Sequence, residues 1–206
     1  MEPKAAAEHL QVIRTLMERS ALYRRTLVPL MIYVGSVGTV ASVAGILLGI
    51  GPRAFHAWWF GAAVLAVVGA LVIARWQAQA DREAFWSPPT LRVAQAIAPP
   101  LAAGLLFTLA FLVSEPVPAP RLFVFVSALF YGAAAHAAGF FMPRGMKLFG
   151  WLVIVVALVG YALVFVADPR GAAIRLDHLL MGIVFGVLHL VYGAYLRVTE
   201  PAKMAA

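Results

Sequence analysis

The sequence predicts an all-α polytopic membrane protein, and three observations carry that prediction. Six apolar stretches of about 20 residues recur along the 206-residue chain, and a helix needs about that length to cross a hydrocarbon core of roughly 30 Å. Hydrophobic residues make up 63% of the composition, and the mean hydropathy of +0.90 leaves little chain for a soluble domain. Charged residues collect between the stretches. A water-soluble helical protein would need polar helix faces, and residues 152–166 offer none.

The elements follow in order. Residues 1–25 form a cytoplasmic unit in which Ala6, Leu10, Ile13, Met17 and Ala21 recur at helical spacing, away from Arg14, Glu18, Arg19 and Arg25. That pattern predicts an amphipathic surface helix over 5–25, lying on lipid headgroups or docking on loops or a partner. The first span, 27–50, has full spanning length and follows a long polar lead, so it reads as a retained anchor and not a cleaved signal, despite Ala41-Ser42-Val43-Ala44. The second covers 55–75. The link 76–91 holds Trp76, Phe85-Trp86 and Ser87-Pro88-Pro89-Thr90, interfacial aromatics before a rigid turn. In the third span, 92–113, Pro99-Pro100 removes the donors that the carbonyls of Gln95 and Ala96 would use, predicting a kink or, as in transporters, a broken helix. Spans at 121–142, 147–167 and 176–197 complete a bundle over 26–198, and 199–206 is a cytoplasmic tail.

Charge sets the expected orientation. Of the 16 Lys and Arg residues, Arg53, Arg121, Arg170 and Arg175 fall on one side and the other twelve on the opposite side. The basic side is expected to face the cytoplasm, with both termini there. The net charge of +7 is then explained by topology and anionic lipid, and nucleic acid is not an expected partner. The absence of cysteine excludes disulfides and thiol chemistry.

A faint repeat links Phe60-Gly61, Gly69 and Arg75 with Tyr131-Gly132, Gly139 and Arg144, and with Phe185-Gly186, Gly193 and Arg197, suggesting three helical hairpins on one plan. The segments Phe130-Tyr131-Gly132, Phe141-Met142-Pro143-Arg144-Gly145, Leu148-Phe149-Gly150-Trp151 and 181–193 resemble an uncharacterised family of bacterial six-helix integral membrane proteins. The resemblance covers the C-terminal half best. It implies residence in the bacterial inner membrane, without an activity or cofactor.

No Asp, Glu, Lys or Arg falls in the middle of a predicted span, which argues against pumps and voltage sensors. Histidine remains. His136 and His189 each precede a basic anchor, Arg144 and Arg197, by eight residues, or ~12 Å of helix, so they share a depth. His56 and His178 form a second layer nearer the other side. His178 and His189, eleven residues apart, differ by ~20° in azimuth, on one face with Gly182, Gly186 and Gly193. Gly132 and Gly139 flank His136 in the same way. The structural expectation is close packing of the fourth helix on the sixth, with histidines hydrogen-bonded across the contact. The chemical one is haem b on His136 and His189, with Arg144 or Arg197 at the propionates and a weaker case for His56 and His178. Metal hydrolysis lacks a carboxylate other than Asp177 near a histidine of the spans, and Ser36, Ser42 and Ser127 stand isolated in apolar runs.

The expected function is therefore that of a non-catalytic bundle that senses, scaffolds, or binds lipid or a small apolar ligand. Its partners are membrane lipid and, through glycine faces or the N-terminal helix, another copy or another protein. A haem-bearing redox protein and a small-solute channel or carrier are the alternatives.

Overall fold

The computed structural model describes residues 27–82, 84–114, 119–142, 145–168, 170 and 173–199, and among them there is no strand. Six helices are long and apolar enough to cross a membrane. They are α1 (Leu27–Leu47), α2 (Pro52–Ala80), α3 (Pro88–Val113), α4 (Pro120–Ala138), α5 (Gly145–Ala167) and α6 (Ile174–Val198). The N-terminal segment 1–25, Arg144 and the tail 200–206 lie outside the described residues.

Local chemistry fixes the ends. α1 stops three residues earlier than expected because Gly49 adopts φ +64°, and the amides of Gly49 and Ile50 turn back to the carbonyls of Ile46 and Gly45 at 3.2 and 2.9 Å. This is a Schellman closure, for which glycine carries no Cβ penalty. Proline occupies the first turn of α2, α3 and α4, where its missing N–H costs nothing. α2 is longer than predicted, since Trp76–Ala80 stay helical, and its 29 residues span about 43 Å. The link to α3 shrinks to 81–87, with Arg82 at φ +53°. α3 runs as one helix through Pro99 and Pro100, so the transporter-like break, the alternative to a kink, is not formed.

Neighbouring elements alternate in direction. Ile50, Arg121, Asp168, Ala173 and His178 meet at one end, termed the ion-pair end. The described residues between α2 and α3 and those at 139–142 after α4 lie at the other, the basic end. α4 and α6 are the most enclosed spans, with 44% and 50% of their apolar windows buried, whereas α2 and α3 reach only 6% each. The core lies between α4, α5, α6 and α1, with α2 and α3 at its flank.

The glycines pair helices differently from the expected pattern. On α6, a Cβ at Gly186 would lie 2.8 Å from the amide nitrogen of Thr39, and one at Gly38 of α1 would lie 2.6 Å from the carbonyl carbon of Phe185. On α4, a Cβ at Gly132 would lie 2.9 Å from the Gly150 carbonyl, and one at Gly150 would lie 2.5 Å from the His136 amide. Backbone therefore meets backbone between α1 and α6 and between α4 and α5. The glycine stripes of α4 and α6 do not face each other, and the closest backbone pairs do not follow the three-hairpin plan.

Lipid offers no hydrophobic drive for helix association, so such close van der Waals contacts carry the packing. Gly186→Leu and Gly150→Leu should therefore each cost about 3 kcal/mol or more, the upper range for overpacking, because backbone cannot move aside as a side chain can. Gly61, with nothing within 4 Å of its Cβ position, should accept leucine with little change. Thermal unfolding of the three purified variants compares them directly.

Candidate functional site

Polar side chains inside the bundle form two groups. The first closes the ion-pair end. Arg121, in the first turn of α4, is only 6% exposed and reaches the ends of two other helices. Its Nη2 donates to Asp168 Oδ2 at 3.1 Å and its Nη1 to the Asp168 carbonyl at 2.7 Å, just past α5. Its Nε donates to Oδ1 of Asp177 in α6 at 3.4 Å. The Ala173 amide also donates to Asp168 Oδ2, at 2.8 Å. Asp177 is 1% exposed, and a carboxylate so enclosed must be paired.

His178 and His56 lie in the same layer. Trp59 Nε1, which can only donate, bonds His178 Nδ1 at 3.2 Å, so His178 Nε2 carries the proton and donates to the Ile50 carbonyl at 3.1 Å. Ser42 Oγ donates to the His178 carbonyl at 2.7 Å. Both nitrogens of His178 are thus occupied in tying α6 to α2 and to the turn after α1. The His56 ring is enclosed by Phe55, Phe111 and Phe123 at 5.9, 5.4 and 5.0 Å, and its Nε2 has no hydrogen-bond partner. Phe55 contacts both imidazoles, at 5.9 Å for His56 and 4.8 Å for His178.

The second group sits deeper. The hydroxyl of Tyr131 in α4 lies 2.6 Å from Nε2 of His189 in α6, which is fully buried. Phe149 of α5 packs edge-on against the same imidazole at 5.0 Å. Just before His189, residues Gly182–Val187 form a π-helical turn. His189 Nδ1 approaches the Val184 carbonyl of that turn but makes no hydrogen bond of ordinary geometry.

The π turn corrects the azimuth expected for the two histidines of α6. One extra residue in a turn displaces everything after it by about 100°. The ~20° separation becomes roughly a quarter-turn, so His178 faces α1 and α2 while His189 faces α4 and α5. Nothing in the apolar pattern of 174–198 announces the wide turn.

His136 is placed apart from His189. Its ring packs at 5.4 Å from Phe140 and 5.7 Å from Trp151, and its Nδ1 donates to the Lys147 carbonyl at 3.4 Å. Trp151, which His136 touches, and Phe149, which His189 touches, lie about 200° apart around α5. The two imidazoles therefore occupy different sides of that helix. The Lys147 ammonium caps the Phe140 ring at 3.7 Å. These residues do not fit a haem held between His136 and His189, because the rings do not face one another and His189 Nε2, one of the two nitrogens a ligand would use, is engaged by Tyr131. His56 and His178 do not form the second pair either, since Phe55 packs on both and His178 has no nitrogen to spare. Among the described residues no three His, Asp or Glu side chains gather as metal ligands.

Compared with known protein families, with characterised proteins and with solved structures, the chain matches none. The fold itself defines the class: a six-helix polytopic membrane protein whose interior polar groups are mainly bonded to one another.

The sequence pattern placed Arg121 at the start of the fourth span only as an outer-side charge and Asp177 at the rim beside His178, and it did not single out Asp168. The available signal was that all three sit within a turn of a span end on the same side, with opposite signs. Removing the cation from this cluster should cost about 3–5 kcal/mol, because Asp177 would then be buried without compensation. Arg121→Met is expected to lower the unfolding temperature far more than Arg53→Met, an exposed arginine at the same end. Tyr131→Phe should cost a smaller amount, about 1–3 kcal/mol, by stranding His189 Nε2. Equal melting of all three variants would remove the structural role assigned to both polar groups.

Proposed function

We propose that this protein is a non-catalytic membrane component that binds a lipid chain or a similar apolar molecule between α2 and α3. The observation that carries this reading is how these two helices are covered. They meet through His56 and Phe111 near the ion-pair end, 5.4 Å apart. From Phe60 to Ala80 on α2 and from Pro88 to Ala110 on α3, no described side chain is buried. Each leans on a different neighbour: Tyr33 of α1 donates to the Leu65 carbonyl of α2 at 2.9 Å, whereas on α3 a Cβ at Gly104 would lie 3.0 Å from Phe130 Cβ of α4. We infer that they diverge toward the basic end, leaving a wedge-shaped space open to the bilayer.

The residues behind the wedge support the same reading. α6 turns Ile183, Val187 and Val191 outward, at 43%, 45% and 59% exposure. Phe185, on its opposite side, and Leu188, about 60° around the helix from Val191, are only half-buried, although α6 is the most enclosed span. Phe185 packs at 5.4 Å against Tyr131, also half-buried. Ala62 of α2 and Val93 and Ile97 of α3 turn toward the core from the two walls. An apolar recess beside Tyr131, whose hydroxyl is already bonded to His189, suits binding better than chemistry. The basic end is read as cytoplasmic in a bacterial inner membrane, from the charge asymmetry and the resemblance noted above.

Reconstitution with a phosphatidylcholine carrying a diazirine on its acyl chain tests the reading. Adducts are expected on Phe185, Leu188 and Tyr131 as well as on the exposed Leu163 and Val166 of α5, and Ile97→Trp should abolish the first set alone. Labelling of α5 with a clean floor would sink the proposal.

A further inference from the structure

The occupant of this wedge can be specified from the residues at its mouth, an inference that rests on the reading of the wedge as a binding space. α2 and α3 are joined at the basic end by the short 81–87 link. Around that link stand Arg75 on α2, Arg82 in the turn and Arg92 in the first turns of α3, all exposed. Neither an ion pair nor a side-chain hydrogen bond engages any of the three among the described residues. Asp81, also exposed, is the acidic residue described beside them. By contrast Arg121, at the opposite end, has its guanidinium fully committed to Asp168 and Asp177.

Depth is set independently by the aromatics. Trp76 and Trp86 flank the link at 68% and 60% exposure, and Phe85 packs on Trp86 at 5.0 Å. Exposed tryptophan on a membrane helix marks the headgroup level. The guanidinium groups of Arg75 and Arg92, each within about one turn of such a residue or of the link, therefore sit where lipid phosphates lie. From Arg75 to Trp59, where α2 is again buried, the helix rises about 24 Å. That is longer than the roughly 15 Å of one leaflet's hydrocarbon, so an acyl chain can be accommodated along the wall.

We propose that the wedge between α2 and α3 holds one anionic phospholipid, its chain against Ile97, Phe185 and Leu188 and its headgroup on Arg75, Arg82 and Arg92. The apolar walls alone would accept a chain from any lipid. The three uncommitted cations select for net negative charge at the headgroup, because juxtamembrane basic residues attract anionic lipid. A water-soluble phosphate compound would gain from the arginines and nothing from the walls, so it should not compete.

The test uses the full-length protein purified in mild detergent and supplied with equimolar phosphatidylglycerol and phosphatidylcholine, with bound lipid counted by native mass spectrometry. One phosphatidylglycerol per chain should survive activation, in preference to phosphatidylcholine. Each of Arg75→Gln, Arg82→Gln and Arg92→Gln should weaken retention roughly five-fold at low ionic strength. Arg53→Gln, exposed at the ion-pair end, should leave it unchanged. Glycerophosphoglycerol, the headgroup without chains, should not displace the lipid. The replaced arginines are on the surface, so unchanged helix content by circular dichroism is expected throughout.

Equal retention of the two lipids, or retention indifferent to all three arginines, overturns the headgroup assignment. If Ile97→Trp still expels lipid in that case, the wedge remains a binding space for uncharged chains. If Ile97→Trp expels nothing, only annular lipid was bound, and the reading of the wedge falls with it.

Discussion

Close approach of backbones at glycine is the contact on which the rest of this bundle depends. In lipid, an apolar side chain gains nothing by leaving the solvent, so helices associate where van der Waals contact is densest. Gly38 against the Phe185–Gly186 backbone joins α1 to α6, and Gly132 against Gly150 joins α4 to α5. These two backbone contacts place α6 and α4 at the centre and push α2 and α3 to the flank. They also set which residues can meet across the interior, including Tyr131 with His189.

Polar groups then lock an arrangement that packing has chosen. Arg121 draws together the ends of α4, α5 and α6, and a pair this enclosed is stable only with its geometry complete. His178 ties α6 to Trp59 and Ile50 through both nitrogens. The π turn at Gly182–Val187 lets one helix satisfy both sides, His178 toward α1 and α2 and His189 toward Tyr131. Wide turns of this kind occur often at functional sites. Here the turn lies where α6 meets α1 at Gly186 and Thr39, and it includes Phe185 at the floor of the proposed binding space.

The two ends of the molecule differ in what their charges do. At the ion-pair end Arg121 is consumed internally. At the basic end Arg75, Arg82 and Arg92 remain exposed beside tryptophans at headgroup level. The same residue type thus serves cohesion on one side and contact with the surroundings on the other. Burial decides between the two roles, since a guanidinium taken out of water must find carboxylates, whereas one at the interface keeps its solvation and its long-range field.

The six spans were legible from the sequence because hydrophobic length is a local property: 20 apolar residues such as 147–167 cross a membrane whatever their neighbours do. Gly49 and the prolines at helix starts also act locally, although their effect on the exact ends appeared only in three dimensions. Helix partnership was not legible. Gly132, Gly150 and Gly186 announce that some backbone comes close without naming which, and equal depth of His136 and His189 fixes height while leaving azimuth open. The extra residue in the π turn of α6 changed that azimuth by about 100°, a shift the apolar pattern tolerates because most directions around α6 are apolar. The ion-pair cluster was hidden for the same reason, since Arg121, Asp168 and Asp177 are separated by 47 and 56 residues and only the fold brings them together. Sequence alone determined that the chain lives in a membrane and how many times it can cross; tertiary packing decided which faces touch, because close contact depends on rotation and partner, which hydropathy does not encode.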